Sequence, residues 1–482
     1  MSAQPKAPHL EPYIAGRAVA ADGPTLRLVS PNDLAAYGEL RETPEALIGQ
    51  AVADAHAAFL AQRRASTAER AKWLNAMADA VQGAAEEIAS LLISDIGKPR
   101  KAAVFEAQRS AAFLRACATQ VLTLGTESLP VDTTPAGAGR FGFTRRIPYG
   151  VVAAISPFNA PINLLCQKVG PALAVGNAVV VKPHPGGTRV ALRAAELFVA
   201  AGLPKGLCNV VTGDREAARL LVSHPKVAAV SFTGGTAAGD ALVRAAGAKK
   251  FLAELGSNAA NVVLADADLA DAARRIAAAA FEASGQQCIS AQRVIVEAAA
   301  YDEFIARFVE EAKALKVGPA SDPATSVGPM VSLAAANRVM EMMRGALAAG
   351  ARFALEPKQQ DCLVSPGIAV DVPRSAALWC DEAFGPVALV QRAANIDDSL
   401  ELANDSPFGL LGAVFTRSLE NALRFSEEFD VGSLWVNEAS RFRLDMYPFG
   451  GVKRSGFGRE GVRYAMEELS QLKFTGIRFD LR

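Results

Sequence analysis

Short apolar runs alternate with amphipathic stretches of helical period through the middle of the chain. Val151–Ile155, Ala178–Val181, Asn209–Thr212 and Ala228–Phe232 read as strands, with helices Ala160–Leu173, Arg189–Ala201 and Glu216–Ser223 between them. Strands of this kind, separated by helices, predict a parallel sheet covered on both faces. A ligand of such a sheet binds beyond the carboxyl ends of its strands. A second α/β series starts near Phe251, with strand Asn261–Leu264, helix Leu269–Ser284, strand Gln292–Glu297 and helix Tyr301–Leu315, and its domain extends to about Tyr447. Upstream, Glu45 to about Ala118 has helical spacing, broken at Gly97-Lys98-Pro99. Residues 125–139, rich in Pro, Thr and Gly, read as a linker or projecting arm, and Arg140–Pro148 as a strand. The first 30 residues read as a loose arm with short strands, and Glu460–Arg482 as a helix followed by a strand.

At 482 residues, the chain exceeds the ~100–200 residues of one domain and predicts two or three. Apolar residues make up 51% and charged residues 21%, with Lys+Arg and Asp+Glu equal at 50 each. That balance gives no reason to expect nucleic acid or a membrane surface as partner, and no apolar run approaches the ~20 residues of a membrane span. Met1–Leu10 lacks the apolar core of a secretion signal. The six cysteines are scattered without a CxxC pair, and the four histidines form no ligand pattern, so neither a disulfide framework nor a metal site is expected. A reducing compartment, the cytoplasm, suits them.

The chemistry-bearing residues sit where strands end. Ser156-Pro157-Phe158-Asn159 closes one strand and opens a helix; Asn159 reads either as a helix cap or as an amide donor facing a cleft. Lys182, at the next strand's end, is placed to meet ribose hydroxyls or a phosphate, or only water. Phe232-Thr233-Gly234-Gly235 is a glycine-rich turn that permits close approach of a pyrophosphate but is not the GxGxxG fingerprint. Glu254-Leu255-Gly256 ends an apolar segment, and Gly285-Gln286-Gln287-Cys288 follows a long helix. Taken alone, Cys288 reads as readily as a small buried hydrophobe as a nucleophile. No histidine stands near it in sequence, which disfavours a Cys–His protease. Glu382-Ala383-Phe384-Gly385-Pro386 offers a carboxylate on a turn, and residues 448–460 form a long glycine-punctuated loop.

The order and spacing of seven segments (157–161, 179–183, 232–236, 253–257, 285–288, 382–386 and 448–461) resemble those of the aldehyde dehydrogenase superfamily, from about Pro12 to Thr475. The resemblance implies an α/β fold with a Rossmann-type cofactor domain (1–124 and 149–253), an α/β catalytic domain (254–447) and a small β oligomerisation arm (125–148 and 460–482) that pairs subunits into a homodimer or homotetramer. It further implies that Cys288 attacks an aldehyde, that Asn159 and the Cys288 backbone N–H hold the oxyanion, that Glu254 activates water, and that Lys168 supports the electrostatic environment. For NAD or NADP it assigns Ser156, Pro157 and Phe158 to the nicotinamide side, Lys182 to the adenine ribose, Gly213, Phe232, Gly234 and Gly235 to the adenine and pyrophosphate region, Leu255 and Gly256 to the cofactor wall beside Glu254, and Glu382 and Phe384 to the nicotinamide ribose.

This sequence departs from the family pattern in places. Ser257 and Asn258 replace a frequent Gly-Lys, Gly235 a frequent Ser, and Pro185 the glutamate frequent in NAD-preferring members, so a 2′-phosphate meets no carboxylate there. Arg109 matches a position where some members with anionic or hydroxylated substrates carry an arginine, and Arg443 resembles one in the lactaldehyde- and phosphonoacetaldehyde-type relatives; the other reading of both is a surface or interface arginine. A guanidinium suits a carboxylate, phosphonate or sulfonate, which predicts a small polar aldehyde, anionic in character. Two other readings stand beside this one. A CoA-acylating relative commonly lacks the base carboxylate that Glu254 supplies, and a non-catalytic structural or binding protein on the same fold predicts a damaged site.

Overall fold

The computed structural model describes residues 9–258 and 260–479. The outer ends of the expected cofactor domain (1–8) and arm (480–482) lie outside the described residues. Five parallel strands form the heart of the first sheet, in the order Lys250–Glu254, Val227–Thr233, Val151–Ser156, Ala178–Pro183, Cys208–Val210. Every residue of Val151–Ser156 and Ala178–Pro183 is buried, as expected of strands covered by helices on both faces. The chain runs outward through the last three strands and then returns to the other side through Val227–Thr233. The strand order therefore reverses between Ser156 and Thr233, and the crevice for a ligand opens there.

Differences from the sequence-based elements have local causes. The region from Glu45 onward forms four helices, Glu45–Gln62, Thr67–Gly83, Ala85–Ile96 and Arg100–Gln120, the last two separated at Gly97–Pro99. Tyr13–Ile14 and Arg17–Ala18 are not loose: Tyr13–Ile14 joins the first sheet antiparallel to Cys208–Val210, and Arg17–Ala18 pairs antiparallel with Tyr13–Ile14 at its edge. The helix expected over Leu269–Ser284 stops at Phe281. Its continuation is pulled out of helical geometry by partners from another segment, because Ala283 N donates to the Ser326 carbonyl and Ser284 Oγ to the Gly328 carbonyl. Ala283, Ser284 and Gly285 all have positive φ.

The second sheet has seven strands, in the order Arg352–Leu355, Gly367–Val370, Val387–Ala393, Arg293–Glu297, Ala260–Val263, Leu411–Phe415, Ser433–Val436, parallel except at the first pair. Arg140–Pro148 pairs with Glu127–Leu129 and, along its whole length, with Ser470–Arg478. This small sheet leaves Phe141, Leu472, Phe474 and Ile477 exposed. The helix Val462–Glu468, expected as part of the arm, packs instead into the first core through Val462 and Met466, so the arm strand begins at Ser470. Among the described residues no helix is long and apolar enough to cross a membrane.

After the second sheet the chain crosses back, and Gly456–Phe457 joins the edge of the first sheet antiparallel to Ala253 and Glu254. Ser455 staples this return: its carbonyl accepts from Leu255 N, and its hydroxyl donates to the Gly256 carbonyl and accepts from Gly409 N, at 2.8–2.9 Å. Gly456 has φ +130°, and a Cβ there would lie 2.0 Å from the Ala253 carbonyl oxygen. Gly456→Ala is expected to cost at least the ~1–3 kcal/mol of an overpacked core position, read as a lower thermal midpoint together with loss of activity.

Candidate active site

A cleft of about 910 Å3 opens at the reversal point of the first sheet and is closed on its far side by residues of the second domain. Ser156, Pro157, Phe158 and Asn159 form one wall; Phe232, Gly234, Gly235, Leu255 and Gly256 form another; Lys182 lies at one end, and Cys288, Glu382 and Phe384 come from the second domain. The Phe158 ring packs against His184 and Phe384, with centroids 5.1 and 5.8 Å away. His184, which the sequence places in a loop facing a cleft, lines it, as do Asp214, Arg215, Arg219 and Arg338, which carry no sequence signal beyond following a strand or lying on a helix. Gly213 sits behind the wall with its neighbour Asp214 in front, and a Cβ on Gly213 would meet Ala217.

Burial sets the protonation states here. Lys182 is pushed down to about 8 by burial, against the pull of Asp214 and Glu42. His184 falls to about 4 from burial and then from the Lys182 charge, so it is neutral at pH 7. Glu382 rises to about 7 through burial, although its Oε1 accepts from Ser257 N at 2.9 Å. Cys288 is half-buried beside Ile289, Tyr447 and Trp435. Its thiol is pushed up to about 12, first by burial and then by the Glu382 charge, with Arg443 pulling the other way. Among the described residues no acceptor takes the Cys288 backbone N–H.

Behind Cys288 lies a buried charge cluster. Lys168 Nζ donates to Thr233 Oγ1 (2.7 Å), Ser231 Oγ (3.3 Å) and Glu460 Oε1 (3.1 Å). Arg443 Nη2 donates to the other oxygen of Glu460 (3.0 Å) and to Gln167 Oε1 (2.5 Å), with its guanidinium 3.6 Å from the centre of the Phe449 ring. Burial raises Glu460, but Lys168 and Arg443 together outweigh it and hold the carboxyl below its usual range. Glu254 meets the opposite fate. Burial and then the Glu460 charge push it well above the usual range, and neither of its oxygens has a hydrogen-bond partner among the described residues. Glu460 was not singled out as a site residue, although it ends the glycine-punctuated loop; the signal lay in a carboxylate following Gly458 and Arg459. Glu254, Lys168, Arg443 and Arg109 are not among the residues that line the cleft: the first three are buried together, and the Arg109 guanidinium is held by both oxygens of Asp445 at 2.6 and 3.2 Å.

The cleft fits a dinucleotide. The helix Thr236–Ala246 points its N-terminus into it, Gly235 supplies no side-chain cap, and a Cβ at Gly235 would meet nothing within 4 Å. Unpaired amides at a helix N-terminus favour a pyrophosphate. The Glu382 carboxylate and the Lys182 ammonium both line the cleft, as groups able to bond hydroxyls of a bound ligand.

A cleft at the reversal point of a parallel sheet, with a helix N-terminus opening into it and a cysteine in its lining, is the arrangement of a nicotinamide-dependent oxidoreductase. The family model "Aldehyde dehydrogenase family" matches residues 18–475, and the chain belongs to that family. It is similar to the 3-sulfolactaldehyde dehydrogenase of Priestia aryabhattai (39% identity over 425 residues, covering 88% of this chain and 89% of the relative). It is also similar to the sulfoacetaldehyde dehydrogenase of Neptuniibacter caesariensis (34% over 449 residues, 93% and 98%). Among solved structures, the NADP-dependent glyceraldehyde-3-phosphate dehydrogenase of Bacillus halodurans C-125 complexed with NADP superposes with a TM-score of 0.95 at 31% identity, covering 98% of this chain and 100% of the other. The protein is an aldehyde dehydrogenase that uses NAD or NADP to oxidise an aldehyde to its acid.

The raised Glu254 carboxyl links stability to pH. A group that binds its proton more tightly when folded stabilises the fold fully below its unfolded value, and that stabilisation is lost as pH rises through the folded value. Glu254→Gln keeps the shape and removes the titration. Its thermal midpoint is expected to exceed that of the parent, with the gap widening as pH is raised above about 4; a gap that stays constant from acid to alkaline pH would refute the buried, unpaired carboxyl.

Proposed function

We propose that Cys288 is the nucleophile of this dehydrogenase and that its substrate is a small anionic aldehyde. The thiol is protonated at rest, so its proton passes to a solvent water as the S–C bond forms. The aldehyde oxygen gains the negative charge, and two donors are available to it: the Asn159 side-chain amide on the cleft wall and the unclaimed Cys288 N–H. NAD or NADP, when bound, supplies the hydride acceptor. Departure of hydride from the tetrahedral adduct leaves an acyl thioester on Cys288. Glu254, as a carboxylate, takes a proton from the water that attacks the thioester, which releases the acid and the thiolate. Lys168 and Arg443 ease that ionisation, since both draw the Glu254 carboxyl downward.

For the cofactor, Ser156, Pro157 and Phe158 would form the nicotinamide wall, Phe232, Gly234 and Gly235 the pyrophosphate turn, and Lys182 the adenine-ribose contact. Leu255, Gly256, Glu382 and Phe384 would enclose the nicotinamide ribose. Pro185 brings no carboxylate to the cleft, and the neighbouring stretch lines it with both signs, Asp214 and Glu216 beside Arg215 and Arg219, an environment open to both NAD and NADP. The exposed apolar face of Phe141, Leu472, Phe474 and Ile477 supports pairing of subunits through the arm as a homodimer or homotetramer.

The anionic preference is carried by one observation: the cluster behind Cys288 has an excess positive charge. Lys168 and Arg443 bring two cations, Glu460 one anion, and Glu254 is neutral while protonated. Arg443 Nε and Gln167 Nε2 have no acceptor among the described residues. A carboxylate or sulfonate tail would satisfy both and neutralise the cluster. The relatives named for sulfolactaldehyde and sulfoacetaldehyde dehydrogenases carry substrates of that class in their names. Arg109 would contribute only by exchanging Asp445 for the substrate, which makes Arg443 the principal contact.

A panel of aldehydes assayed with NAD and with NADP, by absorbance of the reduced nicotinamide, tests this reading. Anionic aldehydes of two to four carbons are expected to give the highest kcat/KM. Arg443→Met is expected to lower the anionic-to-neutral ratio of kcat/KM by about 10–10²-fold, the worth of a charged hydrogen bond of ~1.5–3 kcal/mol. Long-chain or aromatic aldehydes outperforming the anionic ones, or an unchanged ratio in the variant, would sink the proposal.

A further inference from the structure

Asn159 is held from behind by a buried ion pair that the proposed chemistry does not itself use. Lys98 stands in the turn between the helices Ala85–Ile96 and Arg100–Gln120, where Gly97 takes φ +67°. Its ammonium pairs with the Glu106 carboxylate and donates to the Asn159 carbonyl oxygen at 2.6 Å, with side chains only 8% and 5% exposed. The other Glu106 oxygen accepts from Ile162 N at 3.0 Å and Asn163 N at 3.2 Å. Those amides open the helix Pro161–Ala174, which has no side-chain cap of its own. A carboxylate at a helix N-terminus is favoured by the unpaired amides and the dipole, so Glu106 fixes where the helix starts while Lys98 fixes the residue just ahead of it.

The same turn also touches the segment that leads to Cys288. A Cβ on Gly328 would lie 2.7 Å from the Gly97 carbonyl oxygen, so the two backbones are in close contact. The Gly328 carbonyl in turn accepts from Ser284 Oγ at 2.7 Å. Ser284 belongs to the left-handed run four residues before Cys288. One turn therefore grips the Asn159 segment through Lys98 and abuts the support of the Cys288 segment through Gly97.

We propose that Lys98 and Glu106 are positioning residues that set the separation of the two oxyanion donors, the Asn159 amide and the Cys288 N–H. This rests on the reading of those donors given above. The alternative is a purely structural pair. A buried ion pair is weak support for stability, since apolar residues of similar volume often do as well. What Lys98 and Glu106 add beyond packing is direction, applied to one carbonyl and one helix start. Donors to an oxyanion act only if they lie within hydrogen-bond reach of where its charge develops, and a misplacement of about 1 Å can cost about 10²-fold in rate.

The test is a double-mutant cycle between Lys98→Met and Asn159→Ala, read in the holoenzyme. Asn159→Ala alone is expected to lose about 10²–10³ in kcat. Lys98→Met is expected to lose at least about tenfold in kcat with little change in KM for aldehyde or cofactor, and to add no further loss in the Asn159→Ala background. Alkylation of Cys288 by iodoacetamide, which builds no oxyanion, is expected to proceed at the parent rate in both variants; a slower rate would mean that the whole site had moved. Should Lys98→Met fail to fold, Glu106→Gln keeps an acceptor for the two helix amides while removing the ionic partner, and the same pattern is expected at smaller amplitude. Equal losses from Lys98→Met with and without Asn159, or parental kcat in a folded Lys98→Met, would overturn the positioning role and leave the Asn159 reading intact. Near-parental kcat in Asn159→Ala would remove the donor, and the positioning role with it.

Discussion

Two buried cations sharing one carboxylate set the terms for the rest of the site. Lys168 and Arg443 both bind Glu460, and all three side chains are almost wholly buried. Charges in such surroundings interact strongly because little solvent screens them. The cluster draws Glu460 down and leaves Glu254, a short distance away, to absorb the cost of burial. Two carboxyl groups of the same kind are thereby shifted in opposite directions. The same burial therefore favours the proton on Glu254, while the paired cations favour the charge on Glu460.

The two sheets meet at this cluster, and their connections explain why it holds its shape. Lys168 comes from a helix that crosses the first sheet, whereas Glu460 and Arg443 come from the segment that returns from the second domain. Gly456 and Ser455 tie that return to the strand bearing Glu254 through backbone hydrogen bonds. The cysteine is brought in from the second domain by a run of three left-handed residues, two of them not glycine. Strain of this kind persists only when neighbours fix it, and here Ser326 and Gly328 do so.

Much of this architecture was legible in the chain. The parallel strands announced themselves as apolar runs between helices, and Ser156–Asn159, Lys182 and Gly234–Gly235 declared their places by following those runs. Cys288, Glu254 and Glu382 were not distinguishable locally from an inert cysteine and solvated carboxylates. Only the ordered set of segments, and the family it resembles, singled them out. Other features left no mark in the sequence because they are made by distant contacts. The helix that ends at Phe281 instead of Ser284 is decided by carbonyls more than 40 residues away. The burial of Val462 and Met466, which takes their helix out of the arm, depends on a surface formed by the first domain. The pairing of Arg109 with Asp445 joins residues 336 positions apart, and no periodicity reports it.

The account rests on a covalent bond between substrate carbon and one sulfur. The most direct measurement is to incubate the Glu254→Gln enzyme with an oxidisable aldehyde and NAD or NADP, quench it in acid, and map the acyl mass by peptide mass spectrometry. Deacylation is expected to be slowed enough for the acyl group to be found on the peptide carrying Cys288, with the other five cysteines unmodified. Reduced nicotinamide forming while Cys288 stays bare, or an adduct on another cysteine, would contradict it.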